Sequence, residues 1–154
     1  MGRNQLAGFT LIEILLAVML LAVTAGLAVP AMFRLQEKWL LKNSAYAVWN
    51  LMQQAQTRAM TSAEELRLIS DADGKSLWLE HKTGETYVRL AGKLGQTVDI
   101  PAGLKVRTED FPVAFLPDGS IGHAELSVCL EKDCYLVSSR EQYANVSISE
   151  WTEQ

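Results

Sequence analysis

The chain has 154 residues, which is enough for one small domain and an appendage. About half of the residues are apolar (49%), but they are concentrated between residues 9 and 33, and the remainder has the composition of a soluble domain. Eighteen acidic residues against fourteen basic ones give a formal net charge of −4, which argues against a strongly basic nucleic-acid-binding surface.

The first predicted element is an apolar helix, because no residue between Ile14 and Phe33 is charged. At about 1.5 Å per residue, about twenty helical residues span about 30 Å, the hydrocarbon thickness of a bilayer. Residues 9–33 are therefore predicted to cross a membrane, and Arg3 before them favours a cytoplasmic amino terminus. A cleaved secretory signal is a poor alternative because the run is too long and begins with an acid, Glu13. A plain signal anchor explains the length but not the acid.

The residues that open this run carry a family resemblance. Residues 8–13 (GFTLIE), followed by an aliphatic stretch that contains Pro30, resemble the class III signal of type IV pilins and type II secretion pseudopilins. The resemblance implies that residues 1–8 are a leader, that a prepilin peptidase cuts after Gly8, and that the new terminus at Phe9 is N-methylated. It also implies that Glu13 is the family's assembly acid and Pro30 its helix-kinking proline.

The role that the resemblance gives to Glu13 has a physical basis. A charge at the bilayer centre costs ~3 kcal/mol and usually marks function. The free amine of Phe9 on a neighbouring subunit would neutralise this carboxylate, since opposite charges about 4 Å apart attract by ~4 kcal/mol at an effective dielectric of about 20. Such a contact also fixes the axial register of the subunits. The alternative is that Glu13 extends to the cytoplasmic interface without a partner.

The helical pattern continues beyond the apolar run. Apolar residues recur at alternating spacings of four and three, which predicts one buried stripe made of Leu41, Ala45, Val48, Met52, Ala55 and Ala59. We therefore expect a single helix from about Phe9 to about Thr61, bent near Pro30, whose amphipathic part at residues 34–62 packs on a head domain. Trp49 is expected in the core of that domain and Trp39 at the membrane interface.

From residue 63 to residue 154 the pattern changes to strands. Residues 66–69 and 77–79 flank the turn at 71–74 (DADG), and together they predict a hairpin. Further strands are predicted at residues 86–90, 97–100, 104–107, 113–116, 126–130, 135–138 and 146–149. The fold class is therefore α+β, a long helix packed on an antiparallel β head.

Cys129 and Cys134 bracket the tip of a predicted hairpin at residues 131–133. In an exported domain they can form a structural disulfide, whereas in a reducing cytosol they would stay thiols. A disulfide across so short a loop is worth ~2 kcal/mol in the loop-entropy model. A zinc site would need more ligands, and His81 and His123 are distant in sequence. The spacing is also not that of a C-x-x-C redox pair.

No motif predicts an enzyme, a metal or a cofactor. The acids at residues 71–74 lack the other ligands of a calcium loop, so a turn is the better interpretation. The sequence contains no phosphate-binding loop, no G-x-S-x-G and no H-E-x-x-H.

A second resemblance lies in residues 115–120 (FLPDGS), which with the strands after them are similar to the H-type minor pseudopilins and their FimT-like relatives. It implies a structural subunit in the bacterial inner membrane with a periplasmic head, which helps to initiate or tip a type II secretion pseudopilus. The implied partners are other minor and major pseudopilins, the prepilin peptidase and the inner-membrane assembly platform.

Two alternatives to this function stay open at the level of the sequence. One is a FimT-like minor type IV pilin that acts in pilus assembly or DNA uptake. Residues 138–141 (SSRE) place one base beside an acid where some FimT-like proteins have a basic DNA-binding segment, which argues against a nucleic-acid partner. The other alternative is a monomeric, membrane-anchored binding domain that never enters a filament.

Overall fold

A computed structural model describes residues 10–108, 110–140 and 145–152. The chain divides into two compact units, Met1–Glu37 and Lys38–Gln154. Within the described residues there are one α-helix, nine strands and a short 3₁₀ helix at Lys93–Gly95. The elements are α1 (Leu11–Ser62), β1 (Leu66–Ser70), β2 (Ser76–Thr83), β3 (Thr86–Arg89), β4 (Val98–Asp99), β5 (Lys105–Arg107), β6 (Val113–Phe115), β7 (Ala124–Leu130), β8 (Asp133–Arg140) and β9 (Asn145–Thr152).

Helix α1 begins with a side-chain cap. The Glu13 N–H lies 3.4 Å from Thr10 Oγ1 and 3.1 Å from the Thr10 carbonyl oxygen. The spacing of a threonine three residues before a glutamate is that of a capping box. The helix ends at Ser62, which confirms the predicted end near Thr61, whereas the predicted start at Phe9 lies outside the described residues.

The predicted apolar stripe of α1 is confirmed. All six of its residues are at most 2% exposed, and they are Leu41, Ala45, Val48, Met52, Ala55 and Ala59. Ser44 and Leu51, which the pattern did not include, are buried beside the stripe. Three of the six stripe positions are alanines, whose small side chains let other core residues approach the helix backbone closely.

The strands form two antiparallel sheets, and each predicted strand matches an observed one. Sheet A has the order β3-β2-β1-β6, with β4 also paired to β2, and sheet B has the order β5-β7-β8-β9. The inner face of sheet B buries Val106, Ala124, Leu126, Val128, Val137 and Val146. Leucines of β1 and β2, together with Phe115 of β6, supply the buried face of sheet A. The α+β class with antiparallel sheets is therefore confirmed.

The turn between β1 and β2 joins the two sheets. The Asp71 carboxylate accepts hydrogen bonds from the N–H groups of Lys75 (2.7 Å) and Ser76 (3.1 Å), which holds the turn closed. Gly74 has a φ of +67°, and its carbonyl oxygen accepts a hydrogen bond from the Val106 N–H of β5 (3.2 Å). The acid at the start of this segment therefore shapes the predicted turn.

The hairpin of β7 and β8 carries the disulfide. Cys129 and Cys134 face each other across the two strands and are bonded to each other. Both are buried, at 6% and 1% exposure. The disulfide is therefore confirmed, and the zinc and redox alternatives have no free thiol among the described residues to support them.

The transmembrane role of residues 9–33 is not confirmed by the structure. Across the described part of the chain, no helical stretch is both long enough and apolar enough to span a bilayer. Pro30 lies within the bounds of α1, and its role as a kink stays a prediction.

Candidate assembly site and the surface of the head

The N-terminal unit exposes apolar side chains along its helix. These residues are between 53% and 85% exposed, and they are Leu11, Ile12, Ile14, Leu15, Leu16, Val18, Met19, Leu20, Leu21 and Val23. Such consecutive positions cover every side of a helix, since one turn takes about 3.6 residues. A helix that is apolar all round is stable where lipid or other helices surround it.

Glu13 is the acid within this apolar surface. Its backbone N–H is engaged by Thr10, and its side chain has no cation within salt-bridge distance among the residues that the structure describes. The capping role of Thr10 was missed at the sequence level, although the Thr-x-x-Glu spacing of residues 10–13 signals it. Gly8 and Phe9, the predicted cleavage and methylation residues, lie outside the described residues.

An aromatic group ties α1 to the last strand. Trp49 is half-buried, and its Nε1 donates a hydrogen bond to the carbonyl oxygen of Val146 in β9 (2.9 Å). The Tyr46 ring meets Trp49 edge to face at 6.2 Å. Trp49 packs against the core as predicted. Trp39 is 61% exposed, and its place at a membrane interface stays a prediction.

The segment that carried the second resemblance is a turn held against α1. The Gly119 carbonyl oxygen accepts a hydrogen bond from Gln56 Nε2 of the helix (2.8 Å). The Asp118 carboxylate accepts hydrogen bonds from the Ser120 hydroxyl and N–H, which lowers the pKa of Asp118. Residues 115–120 therefore help to position the helix on the head.

The cations on the outer face of sheet A are paired with acids and rings. Arg67 binds Glu80 at 2.6 Å and lies 3.8 Å from the centre of the Tyr87 ring. Glu65 accepts hydrogen bonds from Lys82 Nζ (2.8 Å) and the Tyr87 hydroxyl (2.5 Å), which together hold the pKa of Glu65 below its usual value. Because these charges neutralise one another, this face does not present a free basic patch for phosphates.

A groove of about 950 Å³ lies between the β1–β2 turn and the outer face of sheet B. We call it the acidic groove because Asp and Glu outnumber Lys and Arg in its lining. The acids on this face are Asp71, Asp73, Asp110 and Glu125, Glu150 of β9 borders the groove, and the bases are Lys105 and Arg107. Leu136, His123 and Trp151 also line it, and Trp151 is 51% exposed. In the described part of the chain, no three His, Cys, Asp or Glu side chains cluster closely enough to hold a metal.

The two histidines lie in different places. His81 Nδ1 of β2 lies 3.9 Å from the Glu64 carboxylate, and His123 lines the acidic groove.

The sequence matches a known family model at its amino terminus. Residues 3–29 match the prokaryotic N-terminal methylation motif, and this range includes Gly8, Phe9 and Glu13. Among curated proteins, no sequence matches the chain.

Solved structures resemble about seven tenths of the chain. The minor pseudopilin EpsH of Vibrio cholerae superposes with a TM-score of 0.60 at 16% identity, over 72% of this chain and 95% of EpsH. The type IV minor pilin FimU of Pseudomonas aeruginosa superposes with a TM-score of 0.59 at 16% identity, over 73% of this chain and 90% of FimU. The chain thus has a prepilin signal and a pilin-like fold. EpsH is a minor pseudopilin and FimU is a type IV minor pilin.

Proposed function

We propose that this chain is a minor pseudopilin, a structural subunit that helps to initiate or tip a type II secretion pseudopilus for protein export. One observation carries the proposal. The methylation motif at residues 3–29 includes the first part of helix α1, and the Lys38–Ser62 part of the same helix packs in a head with the fold of EpsH. A signal for filament entry and a compact head for lateral contacts are what such a subunit needs.

The subunit would start as an inner-membrane protein. The prepilin peptidase would remove residues 1–8 and methylate Phe9, leaving residues 9–33 in the bilayer and the head at residues 63–154 in the periplasm. The exposed apolar surface of residues 11–23 supports a lipid or helix-bundle environment for this segment. The disulfide of Cys129 and Cys134 supports an oxidising compartment for the head.

Entry into the filament would depend on Glu13. Its carboxylate would neutralise the amine of Phe9 on the neighbouring subunit, in an apolar setting where each charge alone is costly. The inner-membrane assembly platform would then extrude the subunit together with other minor and major pseudopilins. Residues of the head would select the lateral neighbours.

Glu13→Gln tests this role while keeping the helix cap, because glutamine also fits the last position of a capping box. The variant should insert and be cleaved normally, but its recovery with partner pseudopilins from detergent extracts should fall by about tenfold, the effect of losing an interaction of about 1.4 kcal/mol. Glu37→Gln, an acid-to-amide change on the same helix, is the matched control. Recovery of Glu13→Gln at the level of the control would refute the role.

Mass spectrometry of the membrane-extracted protein tests the processing step separately. We expect a chain that begins at a methylated Phe9. A chain that still begins at Met1 has no amine at residue 9, and the assembly mechanism would then be wrong.

A second candidate is a minor type IV pilin, because FimU and EpsH superpose on this chain with nearly equal TM-scores, 0.59 and 0.60. Deleting the gene separates the two, since loss of secreted proteins with intact pili supports the pseudopilin and loss of pili supports the pilin. DNA uptake would further require salt-sensitive DNA binding by the full-length protein. The paired cations of sheet A and the acidic groove both disfavour such binding.

A further inference from the structure

The two edge strands of sheet B differ in length and in how their outer backbone groups are protected. Strand β5 at one edge spans three residues, two of which are basic, and its Val106 N–H is bonded by the β1–β2 turn. Strand β9 at the other edge spans eight residues and pairs with β8 one to one, without a bulge. It contains no Lys, Arg or Pro, the residues that commonly protect exposed edges. Sheet B therefore has one closed edge and one open edge.

The register shows which backbone groups of β9 face outward. A two-residue turn joins Leu130 to Asp133, so the backbone groups of these two residues hydrogen-bond to each other. Hydrogen bonding alternates along a strand, so the odd-numbered residues of β8 bond to β7 and the even-numbered ones bond to β9. The odd-numbered residues of β9 therefore bond β8, and the even-numbered ones face the open edge. The hydrogen bond from Trp49 Nε1 to the Val146 carbonyl oxygen agrees with this alternation.

The helix thus closes the open edge only at its start. After Val146, the N–H and C=O groups of Ile148 and Glu150 face outward, and no strand among residues 10–108, 110–140 and 145–152 pairs with them. We propose that this edge, residues 147–152, accepts a β-strand from a different pilin-like subunit, which extends sheet B by one strand and places a basic side chain opposite Glu150.

This proposal rests on the proposed function for the class of partner, and it adds the contact surface. Addition of a strand to an open edge is a common way for proteins to bind extended segments, with main-chain hydrogen bonds that supply affinity and side-chain pairs that supply specificity. The side chains supplied by β9 on the inner face are the half-buried Ile148 and the exposed Glu150.

The charge around the open edge selects a basic partner strand. Glu150 interacts with the Tyr135 hydroxyl, and Asp133 lies near the same tyrosine. On the outer face, Ser149 and Trp151 border the acidic groove. A strand with an apolar side chain opposite Ile148 and a basic one opposite Glu150 therefore matches both apolar character and charge.

A second copy of β9 fits this edge less well. When two copies of β9 pair antiparallel, side chains of the same face must lie opposite each other, and the outward-facing N–H and C=O groups of the two copies must meet. Two registers meet both conditions over the greatest number of residues. One is centred on Ser149 and places each Glu150 opposite Ile148, without a cation. The other is centred on Glu150 and places two like charges opposite each other, which is destabilising.

Photocrosslinking tests the proposal in cells with the full-length chain. A photoreactive amino acid replaces Ser149 beside the open edge or, as the matched position, Leu15 in the N-terminal unit. We expect both positions to cross-link to pilin-like subunits, and the peptide joined to position 149 to be an extended segment that contains a Lys or Arg. A cross-link from position 149 to a second copy, or to a protein outside the pilin-like class, overturns the proposal.

The two positions separate the failure of this proposal from that of the proposed function. Cross-linking to pilin-like subunits from position 15 alone overturns the strand addition and leaves the filament role standing. Absence of pilin-like products from both positions overturns both.

A pair of variants at residue 150 tests the main-chain bonds. Glu150→Pro removes an outward-facing N–H without touching the bonds to β8, whereas Glu150→Thr removes the same charge and keeps the N–H. Cross-linking from position 149 should fall by about tenfold more in the proline variant than in the threonine variant. Equal yields overturn the proposal. If the proline variant unfolds, the cross-link from position 149 of the otherwise unchanged chain decides.

Discussion

The two parts of helix α1 face opposite situations. In Leu11–Glu37 the described apolar side chains are exposed, and within this unit they have no sheet to pack on. In Lys38–Ser62 one apolar stripe is almost fully buried in the head, although Trp39, Leu40, Tyr46 and Met60 outside it are exposed. The same secondary structure is therefore supported by the fold of the chain in one part, whereas in the other it depends on surroundings that the subunit does not supply.

Because of this difference, substitutions in the two parts of the helix should affect different properties, the stability of the head or the assembly of the subunit. Changes in the buried stripe should affect the folding of the head, whereas changes in the exposed part should affect only what the subunit binds. All four tryptophans lie between residues 39 and 151, so their fluorescence reports on the unit that contains the head.

The largest expected effect comes from a methionine pair on the same helix. Met52→Ala should lower the free energy of unfolding of the head by about 2–5 kcal/mol, because Met52 is fully buried and its removal leaves a cavity. Met19→Ala is the matched control, since Met19 is 59% exposed, and it should leave that free energy unchanged. Denaturant titration of the full-length protein in detergent, followed by tryptophan fluorescence, measures both. Equal effects of the two substitutions would break the comparison between the two parts of the helix.

A smaller effect is expected from the disulfide, a covalent restraint within the head. Replacing Cys129 and Cys134 together by alanine should lower the free energy of unfolding by about 2 kcal/mol, because the loop that the bond closes is short. A reductant should destabilise the wild-type head by a similar amount and leave the double variant unaffected. A double variant as stable as the oxidised wild type would mean that the hairpin of β7 and β8 needs no cross-link.

The smallest effect concerns the pH dependence of the head. The hydrogen bonds from Lys82 and Tyr87 lower the pKa of Glu65 below its ordinary value of 4.5, so they stabilise the fold fully above that value. The contribution is lost as the pH falls through the lowered pKa. The pair is partly exposed, so the effect is small.

Glu65→Gln tests this dependence through thermal melting between neutral and acidic pH. The variant should melt below the wild type at neutral pH, and the difference should shrink in acid. Glu85→Gln, in the neighbouring exposed turn, should match the wild type throughout. If the difference in melting temperature between wild type and Glu65→Gln grew in acid, the conclusion that the fold lowers the pKa of Glu65 would be wrong.

Local patterns were sufficient to predict the elements of this fold. The stripe from Leu41 to Ala59 follows from helical periodicity alone, because a helix presents every third or fourth residue to the same side. The strands follow from alternation between turn residues. The proximity of Cys129 to Cys134 follows from a short hairpin tip, which was predicted at residues 131–133 and is a two-residue turn between Leu130 and Asp133. The acid at Asp71 predicted the turn that it holds closed.

Long-range pairing could not be predicted in this way. Strand β6 pairs with β1, with Phe115 opposite Leu66, and no local pattern connects segments so distant in sequence. The division into two sheets and the bond from Trp49 to Val146 depend on the same tertiary packing. At the candidate assembly site, the sequence identified Glu13 through a motif, whereas the open edge of β9 became visible only when the strand order was known.

Gly74 has a consequence for natural variation in this fold. A β-carbon at this position would lie 2.2 Å from the Val106 carbonyl oxygen, which no side chain can tolerate without separating backbone segments. The positive φ of the residue imposes a second restriction. Ala72 and Asp73 beside it are exposed and free to diverge. Homologues that retain this contact between the β1–β2 turn and β5 should therefore keep glycine here, while the adjoining loop residues vary. Glycine at this one position would then mark proteins in which the two sheets are joined in this way.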